Sequence, residues 1–566
     1  MKYKSLLLIA TVLGVTSIVN AQTPEFYING YGRSIITNNA LETSSKPNEN
    51  KVGGYALFDL SNNIKLGNTL YANAIFRVRN PFGGFFGTGT AFNFRQFQIG
   101  GKLGKYFNYE LGDINVGAGM SPFAMNNFDD FYTRFESDIF AQRRQILEYE
   151  NFNFGNLWRL QGIHANSKLS VGTLIDTVSA YGFVARTNST DDGQIADRIL
   201  GGGRLGLNFR NKLLLSGNYV GLFDIPVNTS LQVYKNNVLT GDIKYNLNVN
   251  DNIVLNLGAD LGMSNFNNKY NSTPVVEKST SDFYYKAGLD FQFKPSKVIV
   301  NASFKDVGPE FTSPTAQTRR INNTTQNALF GSVNGINRSN GIFDRYTNEN
   351  QYNRIILPTF QQLNPIYSII SPYGVATPNR RGFTAGLQTD TSAKIINAEV
   401  VYDSYSQIVG ENSAELRTYS GIKGGASFNV GKFIGSSRNY ILQGGIRTEQ
   451  VKRDGGAKID LKNSIIDVSV LVEALKKVDL MFGLKNFAAK GNEIYPIYNK
   501  FNVLENYIEY NNLDISDNVI SYGVRYRINK ASHFTANYNR TVLNYKTQSV
   551  YNYNQNQFFV NFTISL

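Results

Sequence analysis

The chain is 566 residues long and formally +13, with no cysteine and two histidines. Lacking thiols, it can build neither a disulfide framework nor a thiolate metal site, and two distant histidines cannot form a compact zinc site, so no cofactor or metal is expected. The basic balance bears on partners rather than fold and suits anionic solutes or lipopolysaccharide; nucleic acid is not expected, because the chain reads as exported and carries no motif for it.

Lys2 and Lys4 precede an apolar stretch from Leu6 to Val15, and Val19, Asn20 and Ala21 stand before Gln22. This is a secretory signal over 1–21 with cleavage after Ala21, too short for a membrane helix. Removing its two lysines leaves 22–566 at +11. A lipoprotein is not expected, because no cysteine can carry the lipid. No later stretch has the long charge-free apolar run of a transmembrane helix. An exported chain of amphipathic strands can enter only a membrane that accepts closed barrels.

From Phe26 onward, strand-like segments of about ten residues alternate in polarity and are joined by short turns and long polar loops in succession, the signature of a transmembrane β-barrel. The first runs from Phe26 to Thr37. Between 92 and 186 the segments are short and Gly-rich, with a link at Ala165 to Lys168. Gly83, Gly84, Gly87, Gly89 and the run Gly201 to Gly203 read as bends and close strand packing, since they lack the strand-to-helix context of a nucleotide loop. Within 114–145, Asp129, Asp130, Glu136 and Asp138 precede Arg143 and Arg144, and Phe128, Phe131, Tyr132 and Phe135 recur at helical spacing. A short amphipathic helix is expected there. The plainer reading is an outer-loop helix packed on its neighbours; the alternative faces its acids toward basic loop residues across the lumen, giving a transverse field.

The run from Gly241 to Met263 displays the strand pattern plainly. Ile243, Tyr245, Leu247 and Val249 share one face and Asp242, Lys244, Asn246 and Asn248 the other. After a turn at Asn250 to Asn252 the alternation resumes with Ile253, Leu255, Leu257, Ala259 and Leu261 on the apolar side. The next hairpin sets Phe283, Tyr285, Ala287, Leu289, Phe291 and Phe293 against Tyr284, Lys286, Gly288, Asp290, Gln292 and Lys294, then turns at Pro295 and Ser296. Short turns also fall at Arg210 to Lys212, Lys476 to Lys477 and Asn529 to Ser532, and longer links at 187–202, 262–282, 404–418, 448–463, 488–517 and 542–556.

From 306 to 382 the alternation lapses, and an insertion this long is functional or disordered. It carries Arg319, Arg320, Arg338, Arg345, Arg354, Arg380 and Arg381 against Asp306, Glu310, Asp344 and Glu349. Arginine's planar fork suits carboxylates and phosphates, so an inward fold would line a passage with anion-binding groups. An external cap, with the arginines on lipopolysaccharide or solvated, stays equally open. Arg525 and Arg527, alternating with Tyr522, Val524, Tyr526 and Ile528, add to the expected positive lumen.

The last segment places Phe558, Val560, Phe562, Ile564 and the terminal Leu566 on one apolar face. It resembles the terminal insertion signal of outer-membrane barrels, with Leu for the usual aromatic. The fold expected is all-β: a single transmembrane antiparallel barrel over 22–566 of about 24 strands, within a range of 16 to 24, with both termini periplasmic as an even count requires. Its lumen would be wider than wall side chains alone can fill.

Catalysis is not expected. Barrel hydrolases and acyltransferases need His with Asp, Ser or Asn at the rim, whereas His164 stands near a strand end beside Asn166 and Ser167, and His533 follows an inner turn.

With the signal, the opening Asn29 to Ser34 (NGYGRS), the Asn-, Tyr- and Lys-rich strands and the long Arg-bearing loop, the chain resembles porin-like outer-membrane barrels of Bacteroidota. The resemblance implies an outer-membrane location. No N-terminal plug of the TonB-dependent kind is present, nor the hatch of fatty-acid transporters. Two functions are consistent with these features: a porin-like channel for small hydrophilic solutes, anionic or neutral, and a closed accessory barrel binding subunits of a secretion, motility or barrel-insertion machine. Lumen charge favours the first; a lumen packed with Tyr and Phe favours the second.

Overall fold

The computed structural model describes residues 23–43, 47–67, 69–82, 89–117, 119–125, 135–150, 159–188, 197–225, 232–270, 278–317, 365–390, 392–393, 395–411, 413–455, 458–498 and 504–566. The signal segment 1–21 lies outside them. In chain order the strands are β1 (Glu25–Thr43), β2 (Glu49–Leu66), β3 (Leu70–Pro81), β4 (Ala91–Leu103), β5 (Phe107–Asn115), β6 (Arg159–Ser170), β7 (Ile175–Asn188), β8 (Asp197–Phe209), β9 (Leu213–Ile225), β10 (Gln232–Asn250) and β11 (Ile253–Tyr270). They continue as β12 (Lys278–Phe293), β13 (Val298–Val307), β14 (Arg380–Thr389), β15 (Ile396–Ser406), β16 (Thr418–Asn429), β17 (Tyr440–Arg453), β18 (Ile459–Leu475), β19 (Val478–Tyr498), β20 (Leu504–Arg527), β21 (His533–Tyr545) and β22 (Tyr553–Ser565). Helix α1 (Asp138–Glu150) lies between β5 and β6, and a single turn α2 (Val430–Phe433) between β16 and β17.

Each strand pairs antiparallel with the next, and the sheet closes on itself because β22 returns to β1, from Tyr31 opposite Ser565 to Thr43 opposite Tyr553. Closure removes every edge, so backbone donors and acceptors find partners in the ladder. The turns follow local chemistry. Between β8 and β9, Arg210 (φ 48°) and Asn211 (φ 50°) both adopt the left-handed conformation that a tight hairpin of matching twist demands.

The two faces separate as alternation requires. Leu239, Ile243, Leu257, Leu261, Phe283 and Leu289 stand outward and exposed, while Tyr234, Asp242, Ser264 and Tyr284 face inward and are buried. On β22 the outward row is Phe558, Val560, Phe562 and Ile564, alternating with buried Phe559, Asn561 and Thr563. Leu566 continues the pairing by donating its N–H to the Gly30 carbonyl (2.8 Å).

The barrel has 22 strands, fewer than 24 but within the expected range. The link placed at Ala165 to Lys168 is strand: β6 runs unbroken to Ser170, and the chain turns at 171–174. The long links also shorten, that at 488–517 to 499–503. Beyond the apolar belt of Leu484 and Ile520, the outward row becomes Asn486, Ala488 and Lys490 on β19 and Asn518, Ser516 and Asp514 on β20, yet the ladder continues, with Asn486 donating to Asn518 across it (2.5 Å). Where both faces meet a polar medium the alternation of hydrophobicity disappears while pairing persists, and a strand reads as a loop.

Candidate lumen site

Among the described residues, four stretches of two outer loops turn into the lumen. After β5, residues 119–125 press Met120, Phe123, Ala124 and Met125 into an apolar cluster with Val238, Phe266 and Tyr284. Phe123 stacks on the Tyr284 ring at 4.0 Å, and Ser121 Oγ donates to Asp260 (2.6 Å), which also accepts from the Tyr284 hydroxyl (2.5 Å). A half-buried carboxylate is tolerable here because the Ser121 and Tyr284 hydroxyls donate to it.

The same loop then forms α1, which lies against the inner wall. It begins at Asp138, after the aromatic run proposed for it. Phe128, Asp129, Asp130, Phe131 and Tyr132 lie outside the described residues, and Phe135 sits in the preceding turn. The Ser137 carbonyl accepts from Phe140 N and Ala141 N, both at 2.9 Å, while its hydroxyl donates to Asp467 on β18. Asp138 in the first turn suits the positive end of the helix dipole. Ile139 and Phe140 pack on Met481 and Val519, and Ile146 on Ile35, Tyr55, Leu57 and Phe559.

The described acids of this segment, Glu136 and Asp138, pair with the wall beside them, so the expected transverse field does not arise from these two. Glu136 pairs with Lys485 (3.3 Å), itself 3.5 Å from Asp467, and Asp138 lies 3.6 Å from Arg525. Each is neutralised by the wall it touches. The side chains of Arg143 and Arg144 are outside the described residues. At the far end of α1, Tyr149 donates to Asp59 (2.6 Å), which also binds Arg77 (2.7 Å) and Arg95 (2.6 Å).

The long β13–β14 connection, expected over 306–382, spans 308–379, since β13 runs to Val307 and β14 starts at Arg380. Both of its described ends fold inward. In 308–317, Thr312 N donates to Ser264 Oγ (2.9 Å), and Gln317 bridges the Phe311 and Ala376 carbonyls (3.0 and 2.9 Å). In 365–379, a strap across the inner wall, Ile366, Ile369 and Ile370 join an apolar cluster with Tyr405, Tyr419 and Phe487. Wall donors meet the strap's carbonyls: Asn463 at Ile366 (2.6 Å), Arg447 at Tyr367, Arg380 at Ile370 (3.1 Å) and Lys305 at Val375 (3.3 Å).

Of the candidate constriction residues, Arg319, Arg320, Arg338, Arg345 and Arg354 lie outside the described residues. Arg380 points inward and stacks over Tyr419 at 3.8 Å. Arg381 does not face the lumen: it shares the outward row with Phe383 and pairs with Asp306. Arg525 and Arg527 are inward but compensated, Arg525 by Asp479 (2.9 Å) and Arg527 by Glu473 (2.8 Å) and Asp479 (3.0 Å). His164 is within β6 rather than near its end, held by Glu110 at 2.6 Å.

Other lumen cations were not singled out from sequence. Lys286 and Lys305 face each other across β12 and β13, and Lys423 and Arg447 across β16 and β17. With Asp403 and Glu449 they line a cavity of about 200 Å³ beside the strap. The phase of β12 puts Lys286 on the polar face; the lateral alignment that gathers these residues depends on register, which no single strand contains.

No protein-family model matches the chain, and no curated protein matches it. Similar solved structures include a BenF-like porin from Pseudomonas fluorescens Pf-5 (9% identity, 96% of this chain and 99% of that chain, TM-score 0.35) and Pseudomonas aeruginosa OpdL (10% identity, 96% and 99%, TM-score 0.37). Pseudomonas aeruginosa OccK5 (OpdH) is another, at 8% identity over 96% of this chain and 98% of that chain, with a TM-score of 0.38. Similarities this distant assign no solute to the present chain.

Proposed function

We propose that the protein is a porin-like channel of the outer membrane, passing small hydrophilic solutes that are anionic or neutral. The observation that carries this reading is the inner wall between β12 and β16, where Lys286, Lys305, Asp403 and Lys423 are only half-buried beside a cavity. Charged groups at bilayer depth persist where water or a counter-charge hydrates them, and water in the lumen is the ordinary source. The apolar outer belt meets lipid, with lipopolysaccharide as its outer-leaflet partner, and the resemblance to porin-like barrels of Bacteroidota accords with that placement.

A second reading is kept because the apolar clusters around Tyr284 and Phe487 fill lumen space with Tyr, Phe and Ile. A barrel narrowed in this way also suits a non-conducting accessory role in an envelope machine. Planar-bilayer recordings of the purified chain separate the two. The channel reading expects discrete conductance steps from the intact protein, enlarged by excising 309–378. Silence of the intact protein, with current only after excision, favours the accessory barrel.

A further inference from the structure

The cavity beside the strap is built differently from the rest of the inner wall. At other places on the inner wall cations sit on carboxylates, as Arg77 and Arg95 on Asp59, or Arg198 on Asp224 at 2.7 Å, and in the cavity Arg447 lies 3.8 Å from Glu449. Here two cross-strand pairs of like charge are placed in register, Lys286 opposite Lys305 and Lys423 opposite Arg447. Like charges directly opposite destabilise a sheet. The row between them carries Asp403 and Glu449, so four cations and two carboxylates line one hollow and two positive charges remain in excess.

The hollow itself is a matter of missing side chains. Two inward positions among these residues are glycines, Gly382 between Lys305 and Tyr405, and Gly421 between Asp403 and Glu449. A Cβ on Gly421 would come within 2.6 Å of the Ile370 side chain, and one on Gly382 within 2.0 Å of the Ser404 carbonyl. The backbone contact makes Gly382 require glycine, whereas a side chain at Gly421, which lines the cavity, would have to displace the end of the Ile370 side chain.

Part of the local charge is already committed to neutral backbone. Lys305 donates to the Val375 carbonyl at 3.3 Å, and Arg447 to that of Tyr367; Glu449 accepts from Ile369 N at 2.7 Å. A hydrogen bond from a cation to an ionised oxygen is roughly twice as strong as one between neutral groups and stronger than one to a carbonyl. An entering oxyanion therefore offers Lys305 a better acceptor than the Val375 carbonyl, and adds a second charged acceptor for Arg447, which lies 3.8 Å from Glu449. It also relieves the repulsion within both like-charge pairs, a gain no neutral solute supplies.

We infer that this cavity is a binding site for one small divalent oxyanion, held by Lys286, Lys305, Lys423 and Arg447. Two negative charges match the excess, and about 200 Å³ has room for phosphate or a short dicarboxylate together with water. The inference deepens the channel reading by naming the charge class of a solute the wall retains. It is tested on purified protein without any current, so a closed barrel that binds and an open barrel that does not are separate outcomes.

The experiment is isothermal titration calorimetry of the full chain in detergent at low ionic strength, with sodium phosphate, succinate, chloride and glucose as separate titrants. Saturable one-to-one binding of phosphate, succinate or both is expected, with chloride and glucose silent, and the relative affinities tell an inorganic from a dicarboxylate ligand. Lys423→Gln is expected to weaken binding at least tenfold. Asp403→Asn removes the competing charge and is expected to tighten binding about threefold or more, a gain that a folding defect cannot produce. Absence of saturable oxyanion binding by the wild type overturns the inference. So does binding left unchanged by both substitutions in barrels that keep their heat-modifiable gel mobility.

Discussion

Residues 135–150 and 365–379 both turn into the lumen from outer loops, the first fastened mainly by charge and the second mainly by apolar contact. Around α1, Glu136, Asp138 and Tyr149 meet Lys485 on β19, Arg525 on β20 and Asp59 on β2. Around the strap, three isoleucines sink among Tyr405, Tyr419 and Phe487, and the polar contacts are made by its backbone and by the Asn379 side chain. Charged fastenings fail abruptly, because removing one partner leaves the other buried and uncompensated. Apolar fastenings fail in proportion to the volume removed.

The sharpest way to break that contrast is Lys485→Met. Lys485 is 2% exposed and serves both Glu136 and Asp467, so the variant strands two carboxylates beside each other. The local cost is expected to be about 3–5 kcal/mol, the range for breaking a buried pair. Release of α1 would appear as new protease cleavage within 135–150 and as increased conductance. Adding Glu136→Gln and Asp467→Asn should restore most of the protection, because the coupled sites are not additive. Protection unaltered in the single variant would show that apolar packing of Ile139 and Ile146 alone holds the helix.

Ile370→Ala tests the other side. Ile370 is buried and its side chain fills the recess over Gly421, so truncation leaves a cavity and is expected to cost the strap about 2–5 kcal/mol. Hydrogen exchange of the amides in 365–379 is the measurement, and the change should be independent of ionic strength. An effect that vanishes in high salt would mean the strap is held by Arg380, Arg447 and Lys305 instead.

A smaller effect is expected at the outer belt. Leu257 is outward and 41% exposed, whereas Asn256 faces the lumen. Leu257→Asp is expected to cost up to about 2 kcal/mol at bilayer depth, somewhat less than the cost for a basic residue there, while Asn256→Asp keeps its charge in water. Assembly followed by heat-modifiable gel mobility should fall for the first and hold for the second. Equal tolerance would place the register one residue off.

How far the sequence was readable follows from the same distinction between faces and contacts. Period-2 alternation put Leu257, Phe283 and Phe558 on the lipid side and Asp242, Lys286 and Arg525 on the other, because it depends only on neighbours along one strand. Strand ends were harder to place, since β19 and β20 continue past the belt where both sides are polar. The lumen inserts were hardest. Nothing in Ser137 or Glu136 names Asp467 or Lys485 some three hundred residues away, and α1 starts after the aromatic run that suggested a helix. Arg381 was misassigned to the lumen because β14 begins at Arg380, which puts the next residue on the opposite face.

The least effect is expected at Arg527, which answers whether charge alone makes a fastening fragile. Arg527 pairs with Glu473 (2.8 Å) and Asp479 (3.0 Å), as firmly in geometry as Lys485 with its partners, but it stands next to the β20–β21 turn with 35% of its side chain exposed. Solvated pairs contribute about 0.2–1 kcal/mol, because water screens the attraction and rescues the partner left behind. Arg527→Gln should therefore shift thermal stability by less than about 1 kcal/mol. Its signature should be electrical instead: a modest loss of anion preference in bilayer recordings that fades as salt rises and the Debye length contracts to about 3 Å at 1 M. The effect of Lys485→Met, inside a dry contact, should persist at every salt concentration. If Arg527→Gln destabilised the barrel as severely as Lys485→Met, its surroundings would have to be as dry as those of α1, and the division of the lumen into a buried charged latch and a hydrated mouth would fail.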